Sequence, residues 1–175
     1  MNENMIDFKK HVRDIPDFPK KGILFRDITP LLGDNEALVE AIKALAAPFK
    51  GQKIDYVAAI EARGFIFGSA VARELGAGFI PIRKPGKLPH ITKSVEYDLE
   101  YGKDTIEIHK DAIKDGASVL LIDDLLATGG TMAAAIKLIE QMDAKIVGLT
   151  FLVELKALGG REKLVEYTIH TEIVY

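Results

Sequence analysis

The chain has 175 residues, of which 48% are hydrophobic and 28% are charged. This length suits one domain, and the composition excludes disordered and fibrous proteins. With 23 Lys and Arg against 26 Asp and Glu, the net charge is -3, which argues against a dedicated binder of nucleic acid or of a membrane surface. Cysteine is absent, so disulfides and thiolate sites are excluded and a reducing cytoplasmic location is expected. We expect no secretion signal and no membrane span, because no apolar run is long enough.

The predicted elements alternate between helices and short apolar strands. The first 13 residues predict a helix, after which Pro16, Pro19 and Gly22 predict an extended arm. Asp34 is a predicted helix N-cap. In chain order, the remaining pattern predicts a helix at 35–49, a strand at 55–60, a helix at 64–75, a strand at 79–83, a loop at 84–103, strands at 105–109 and 119–122, a helix after 131, and strands at 145–155 and 167–174.

This alternation predicts an α/β fold with a parallel sheet that helices cover on both faces. We expect one domain over residues 1–175, because no repeat or linker divides the chain. The arm, at 1–33, is expected to form a small lobe over the sheet. The segment 84–103 carries prolines, glycines and many charges, so it is predicted to be a long flexible flap.

The most informative segment is 119–131, which reads VLLIDDLLATGGT. It combines a strand, an acidic pair, a glycine-rich turn and the start of a helix. Backbone N–H groups at such a turn can converge on one anion, which the helix dipole also favours. The segment therefore predicts a phosphate cradle, formed by Ala127, Thr128, Gly129, Gly130 and Thr131. It matches neither the P-loop nor the GxGxxG pattern.

The acidic pair, Asp123 and Asp124, directly precedes this turn. Carboxylates accept hydrogen bonds from vicinal hydroxyls and can hold hydrated Mg²⁺. The pair therefore predicts a ligand with hydroxyl groups near its phosphate, such as a ribose 5-phosphate. An acidic pair beside an ordinary turn is the alternative, which the complete string makes the weaker interpretation.

The string VLLIDDLLATGGT resembles the phosphoribosyl pyrophosphate (PRPP) motif of the type I phosphoribosyltransferases, and LLATGGT is most similar to the adenine-specific branch. The blocks DIPDFPKKGILFRDITPLL, EARGFIFG, IRKPGKLP, YDLEYGKD and VELKALGGREKL resemble the same family, so the similarity covers nearly the whole chain. The resemblance implies a central, mainly parallel sheet flanked by helices, a small N-terminal hood and a flexible catalytic loop. It also implies a reaction in purine salvage, in which adenine and PRPP give AMP and diphosphate, with Mg²⁺ and usually in a homodimer.

The resemblance also assigns roles to residues. It places the diphosphate at Glu61, Ala62, Arg63, Gly64, Arg83 and Lys87, and it implies a non-proline cis peptide in the turn 61–64. From the residues alone, Arg63 could bind a diphosphate with its forked donors or pair with a surface carboxylate. The basic run 83–87 could equally be a solvated face. Gly64 and Gly68 are also candidates for close helix packing.

The resemblance implies that the arm GILFRDITP covers the purine. Phe25 would stack on the base, although an aromatic residue that packs into the core is the simpler interpretation of a lone Phe. The backbones of Leu24 and Arg26 would offer one acceptor and one donor, which match the amino group and N1 of adenine. A 6-oxopurine reverses both groups, and such a mismatch can reject an analogue by several powers of ten.

The flap contributes the remaining catalytic candidates. The resemblance implies that Glu100 lies near the purine and helps move its proton, with Tyr101 beside it as a closing group. Arg63 would stabilise the leaving diphosphate. No protein cage is expected for Mg²⁺, which would arrive with PRPP and contact Asp123 or Asp124 through water. The four histidines show no metal-binding spacing.

Two alternative functions are weighed against this interpretation. One is a 6-oxopurine or xanthine phosphoribosyltransferase, since the geometry of the arm decides the base. The other is a PRPP-sensing regulator, which in this fold carries an added DNA-binding domain. We expect no such domain in this chain, which is also acidic overall, so this alternative is the weaker one.

Overall fold

The computed structural model describes residues 6–98 and 102–175. Its centre is a five-stranded parallel sheet in the order β4-β3-β7-β8-β9. The strands are β3 (Tyr56–Ile60), β4 (Gly78–Ile82), β7 (Ser118–Leu126), β8 (Lys145–Glu154) and β9 (Ile169–Val174). Apolar side chains of β3, β7 and β8 are buried on both faces of the sheet, as near-continuous apolar runs predict.

Helices cover both faces of this sheet. They are α1 (Thr29–Gly33), α2 (Asn35–Ala46), α3 (Gly64–Leu75) and α4 (Gly130–Glu140). The first three pack with one apolar cluster and α4 with the other. Helix α2 begins where Asp34 accepts a hydrogen bond from the Ala37 N–H, and α3 ends at Gly76, whose φ of 68° is left-handed. The predicted α/β class is confirmed.

The N-terminal arm is an antiparallel pair of strands, β1 (Arg13–Pro16) and β2 (Leu24–Asp27). The helix predicted over residues 1–13 is wrong for its described part, which holds a single 3₁₀ turn at Phe8–His11. None of the residues in this turn is buried. Ile6, Phe8 and Val12 pack against the core while only partly buried, and β1 begins at Arg13, so the stretch is too short for a helix that is stable by itself.

The predicted flap contains regular structure. Strand β5 (Thr92–Asp98) pairs with β6 (Lys103–His109) in an antiparallel ribbon, so the loop predicted over 84–103 is wrong for residues 92–98. Within β5 only Val95 is buried. A strand with charged residues on both faces, as β5 is, lacks the apolar alternation that reveals a half-buried strand.

Because all five strands of the central sheet are parallel, their carboxyl ends lie along one edge. The segments that follow β3, β4 and β7 therefore meet there, which is where open α/β sheets bind ligands. Within 6–98 and 102–175, none of the helices is both long and apolar enough to cross a membrane.

Candidate active site

The turn after β7 is shaped by two glycine contacts. Gly129 has a φ of 77° and lies directly before α4. A Cβ on Gly129 would lie 2.5 Å from the carbonyl oxygen of Gly160, and a Cβ on Gly160 would overlap the carbonyl oxygen of Ala127. The backbone of Gly160 therefore packs directly against the turn. Neither Gly129 nor Gly160 accepts a side chain without a shift of the backbone.

This turn encloses a cavity of about 80 Å³. No side chain caps the N-terminus of α4, so its first N–H groups remain available to an anion. The volume corresponds to about two or three water molecules, which suits a phosphate group. The lining residues are Asp123, Leu125, Leu126, Ala127, Thr128, Gly129, Gly130, Thr131 and Met132.

The acidic pair lies beside this cavity. Asp124 is buried, with 6% of its surface exposed. Arg63 Nη2 lies 2.6 Å from Asp124 Oδ2, but the contact is not aligned as a hydrogen bond, and Oδ2 is left without a hydrogen-bond donor. Two neighbouring carboxylates with one cation leave an excess of negative charge.

Burial is the main cause that raises the pKa of both carboxyl groups. The charge of Asp124 raises the pKa of Asp123 further, whereas Arg63 partly offsets the rise at Asp124. Protons, hydroxyl donors or a divalent cation would each relieve the repulsion between such carboxylates.

The first residue of α3 lies against this pair. A Cβ on Gly64 would lie 2.7 Å from Asp123 Oδ1. At Gly68, one turn later, a Cβ would lie 2.5 Å from the Cβ of Ala59. Gly68 thus serves close packing of α3 on the sheet, and Gly64 brings the start of α3 into contact with the acidic pair.

The turn after β3 carries a carboxylate between two cations. Arg83 Nε and Lys87 Nζ donate to Glu61 at 2.6 and 2.9 Å, and the backbone N–H of Lys84 adds a third bond at 3.2 Å. Burial alone would raise the pKa of Glu61, but the bonds from Lys87 and Arg83 outweigh it and lower that pKa. The Glu61–Ala62 peptide is cis, which confirms the implied non-proline cis bond in this turn.

Arg63 faces the acidic pair and the arm. Besides its ion pair with Asp124, its guanidinium carbon lies 5.1 Å from the ring centroid of Phe25. Its partner is therefore a buried carboxylate of the site, whereas the alternative was a surface carboxylate. Arg83 and Lys87 lie instead around Glu61.

The arm presents Phe25 toward this site. The Phe25 ring meets Phe18 edge-on at 5.1 Å, and the side chain of Leu24 is exposed. The guanidinium of Arg26 lies 3.6 Å from the ring centroid of Tyr175 and pairs with Asp14. The side chain of Arg26 is thus engaged elsewhere.

A polar cluster next to the cavity was not predicted from the sequence. In it, Tyr97 contacts Lys84, Asp104 and Thr131. No role was predicted for Gly160 either, for which the block VELKALGGREKL was the only signal. Two predicted catalytic residues, Glu100 and Tyr101, lie outside the described residues.

The donors fit Mg²⁺ that is shared with a phosphate ligand. Carboxylate oxygens are its preferred protein ligands, and one or two of them usually suffice when substrate phosphates supply the rest. The underbonded Asp124 Oδ2 and the partly exposed Asp123 provide such oxygens. Among residues 6–98 and 102–175, there is no group of three or more His, Cys, Asp or Glu side chains arranged around a metal position.

Comparison with known proteins agrees with the family resemblance of the sequence motifs. A model of the phosphoribosyl transferase domain matches residues 31–173. The adenine phosphoribosyltransferases of Rhodopirellula baltica and Halothermothrix orenii are both 58% identical to this chain, over 97% and 95% of it and over 82% and 98% of their own lengths. The crystal structure of the adenine phosphoribosyltransferase of Thermoanaerobacter pseudethanolicus is 53% identical, with a TM-score of 0.93 over 96% of this chain and 98% of its own.

The Saccharomyces cerevisiae enzyme of the same name, solved with an imino-altritol bisphosphate and adenine, is 41% identical, with a TM-score of 0.89 over 94% of this chain and 96% of its own. The chain belongs to the phosphoribosyltransferase family and, within it, to the adenine phosphoribosyltransferases.

Proposed function

We propose that this chain transfers the 5-phosphoribosyl group of PRPP to N9 of adenine and releases AMP and diphosphate, a step of purine salvage. The observation that carries the proposal is the meeting, at one edge of the sheet, of a phosphate-sized cavity, an acidic pair in which Asp124 Oδ2 lacks a hydrogen-bond donor, and a basic cluster. PRPP has one group for each feature: a 5′-phosphate for the cavity, two ribose hydroxyls for the acidic pair and a diphosphate for the basic cluster. The relatives' names support adenine as the acceptor and do not favour a 6-oxopurine enzyme or a regulator.

The placement of PRPP follows from these three features. The 5′-phosphate would bind the N–H groups of the turn 127–131, and the ribose hydroxyls would donate to Asp123 and Asp124. Arg83 and Lys87 now donate to the Glu61 carboxylate, which holds both cations at this turn. When PRPP binds, they would donate to its diphosphate oxygens instead. The diphosphate site we propose comprises Glu61, Ala62, Arg63, Gly64, Arg83 and Lys87.

Adenine would bind under the arm. Phe25 would stack on the purine, and its distance of 5.1 Å from Arg63 supports a base position next to the ribose site. The backbones of Leu24 and Arg26 would pair with the amino group and N1. The solved yeast relative, whose structure contains adenine, supports this class of ligand.

In the proposed mechanism, the bond between C1′ and the diphosphate breaks through an oxocarbenium-like state, and N9 of adenine attacks the opposite face. The residues contribute chiefly position and charge. Arg63 would stabilise the charge on the leaving diphosphate. Glu100 would move the purine proton, and Tyr101 would help exclude water, which otherwise hydrolyses the activated sugar.

We propose Mg²⁺ as the cofactor, held by PRPP together with Asp123 or Asp124, directly or through water. When bound, it would neutralise charge on the diphosphate. The family's general use of Mg²⁺ with PRPP supports this proposal.

We further propose a homodimer and a cytoplasmic location. We also propose that residues 1–175 form one domain, with a hood at 1–33 and a catalytic flap at 84–103 that includes β5. Two exposed apolar side chains support the dimer: Ile66 on α3 and Phe79 on β4, the outermost strand at that end of the sheet. Light scattering should give about twice the 19.2 kDa mass of the chain.

The test is PRPP-dependent nucleotide formation with Mg²⁺, with adenine, hypoxanthine, guanine and xanthine in parallel. We expect AMP from adenine and rates lower by several powers of ten with the three oxopurines. Turnover of an oxopurine would contradict the assigned roles of Leu24 and Arg26. Tight binding of PRPP without turnover would contradict the enzyme and favour a sensor.

A further inference from the structure

A polar cluster joins the β5–β6 ribbon to the turn 127–131. The Tyr97 hydroxyl, on β5, lies 3.3 Å from Thr131 Oγ1 and 3.2 Å from an oxygen of Asp104 on β6. Lys84 Nζ approaches the same hydroxyl at 3.4 Å and also pairs with Asp104. The two strands of the ribbon, the segment before them and the turn 127–131 therefore meet at one phenol oxygen.

The number of protons in this cluster fixes the direction of its bonds. A carboxylate only accepts, and a phenol has one proton. The Tyr97 proton is therefore committed to Asp104, and Thr131 must donate its single hydroxyl proton to Tyr97. Lys84 supplies a second donor to the same oxygen.

Thr131 also lines the 80 Å³ cavity. A phosphate there would accept the hydroxyl proton of Thr131, because a charged acceptor forms a stronger bond than a phenol. The same proton cannot serve Tyr97 at that moment. Occupation of the cavity and the bond between Thr131 and Tyr97 thus compete for one proton.

The end of β5 also rests directly on the cavity turn. A Cβ on Gly130 would lie 3.6 Å from the carbonyl oxygen of Asp98 and 4.0 Å from the Tyr97 ring. The ring itself packs against the buried apolar cluster that includes Met132. The hydroxyl contact is therefore the polar part of a packed junction between the ribbon and the turn.

We propose that Tyr97 is a positioning residue that couples occupation of the 5′-phosphate site to the β5–β6 ribbon. In the free protein, the bond from Thr131 holds the end of β5 on the turn. A bound phosphate withdraws that bond and loosens the ribbon. This inference rests on the proposed function, since it requires a phosphate in the cavity.

The test is amide hydrogen exchange with ribose 5-phosphate as the probe, in the wild type and in Tyr97→Phe, which keeps the ring. In the wild type, we expect slower exchange at 127–131 and faster exchange at 92–98 and 103–109. In Tyr97→Phe, the ribbon exchanges fast with or without the probe, while the turn is still protected. The variant should also bind ribose 5-phosphate about two- to tenfold tighter, the range of one net hydrogen bond.

Tyr167→Phe is the matched control, because the Tyr167 hydroxyl also donates to a carboxylate, that of Glu140 at the far end of α4. It should respond as the wild type does. If ribose 5-phosphate protects the turn but does not change exchange in the wild-type ribbon, the inference is wrong and the phosphate site stands. The same holds if the ribbon of Tyr97→Phe responds as the wild-type ribbon does, or if the variant binds ribose 5-phosphate no more tightly than the wild type. If the turn is not protected in the wild type, the phosphate site is wrong and the inference falls with it.

Discussion

Two turns at the same edge of the sheet, 127–131 and 61–64, differ in how they are prepared for a charged ligand. Each follows a buried parallel strand and begins a helix, β7 to α4 and β3 to α3. The first is shaped by backbone contacts between glycines and carries no charged side chain. The second holds ionised groups that are already paired, Glu61 with two cations and Arg63 with Asp124.

The difference separates two ways of binding phosphate. A turn held open by its backbone loses little conformational freedom when an anion enters, since its N–H groups are already oriented. A turn whose cations are paired must exchange one anionic partner for another, so the net gain is smaller. We therefore expect the first turn to anchor the group that remains on the product, and the second to hold the group that leaves.

The largest effect is expected from Gly129→Ala. The new Cβ would meet the carbonyl oxygen of Gly160 and displace several N–H donors together, so activity with PRPP should fall about 10³-fold, the upper end of the loss from a single donor. The measurement is steady-state kinetics together with thermal unfolding. Gly51→Ala is the matched control, since Gly51 also has a positive φ, of 82°, but an open surrounding.

Gly51→Ala should lose about 1–2 kcal/mol of stability through the left-handed backbone alone and keep its activity. Equal activity of the two variants would show that the shape of the turn 127–131 does not matter for binding.

A smaller loss of activity, with a gain of stability, is expected from Asp123→Asn. Removal of a ribose contact should lower kcat/KM for PRPP about 10²-fold, the scale of a lost positioning contact. The pKa of Asp123 is raised in the fold by burial and by Asp124, so the folded state binds more protons than the unfolded state. Stability then falls as the pH rises above the unfolded pKa of about 4.

The Asn variant has no carboxyl group at position 123, so its stability does not include the cost of ionising a buried carboxyl group there. It should therefore be more stable than the wild type at pH 7, and the difference should shrink as the pH is lowered toward 4. Denaturant unfolding at several pH values measures it. His109→Ala, a change outside the proposed site, should keep the activity; loss of activity there but not in Asp123→Asn would overturn the assignment.

The smallest effect is expected from Glu61→Gln. The change releases Arg83 and Lys87 from a carboxylate, so diphosphate should bind about two- to fivefold tighter, the size of a partly exposed ion pair. Binding of AMP should be unchanged. Calorimetric titration of both ligands gives the answer, and weaker binding of diphosphate would mean that Glu61 orients the cations for the ligand.

Much of this comparison was predictable from the sequence. The apolar runs gave the parallel sheet, and the string DDLLATGGT gave the turn and its acidic pair, because these signals are local. The β5 strand was missed because its charged residues hide the alternation. The contacts of Gly160 with the turn and of Tyr97 with Thr131 join segments far apart in sequence, and no local pattern encodes them.

A crystal structure with AMP and magnesium diphosphate bound together would test the division of roles between the turns 127–131 and 61–64. We expect the AMP phosphate within hydrogen-bond distance of the N–H groups at 128–131, with the glycine contacts unchanged. We also expect diphosphate on Arg83 and Lys87, with Glu61 released from both. Diphosphate seated in the turn 127–131, or Glu61 still bound to both cations beside the ligand, would contradict this division of roles.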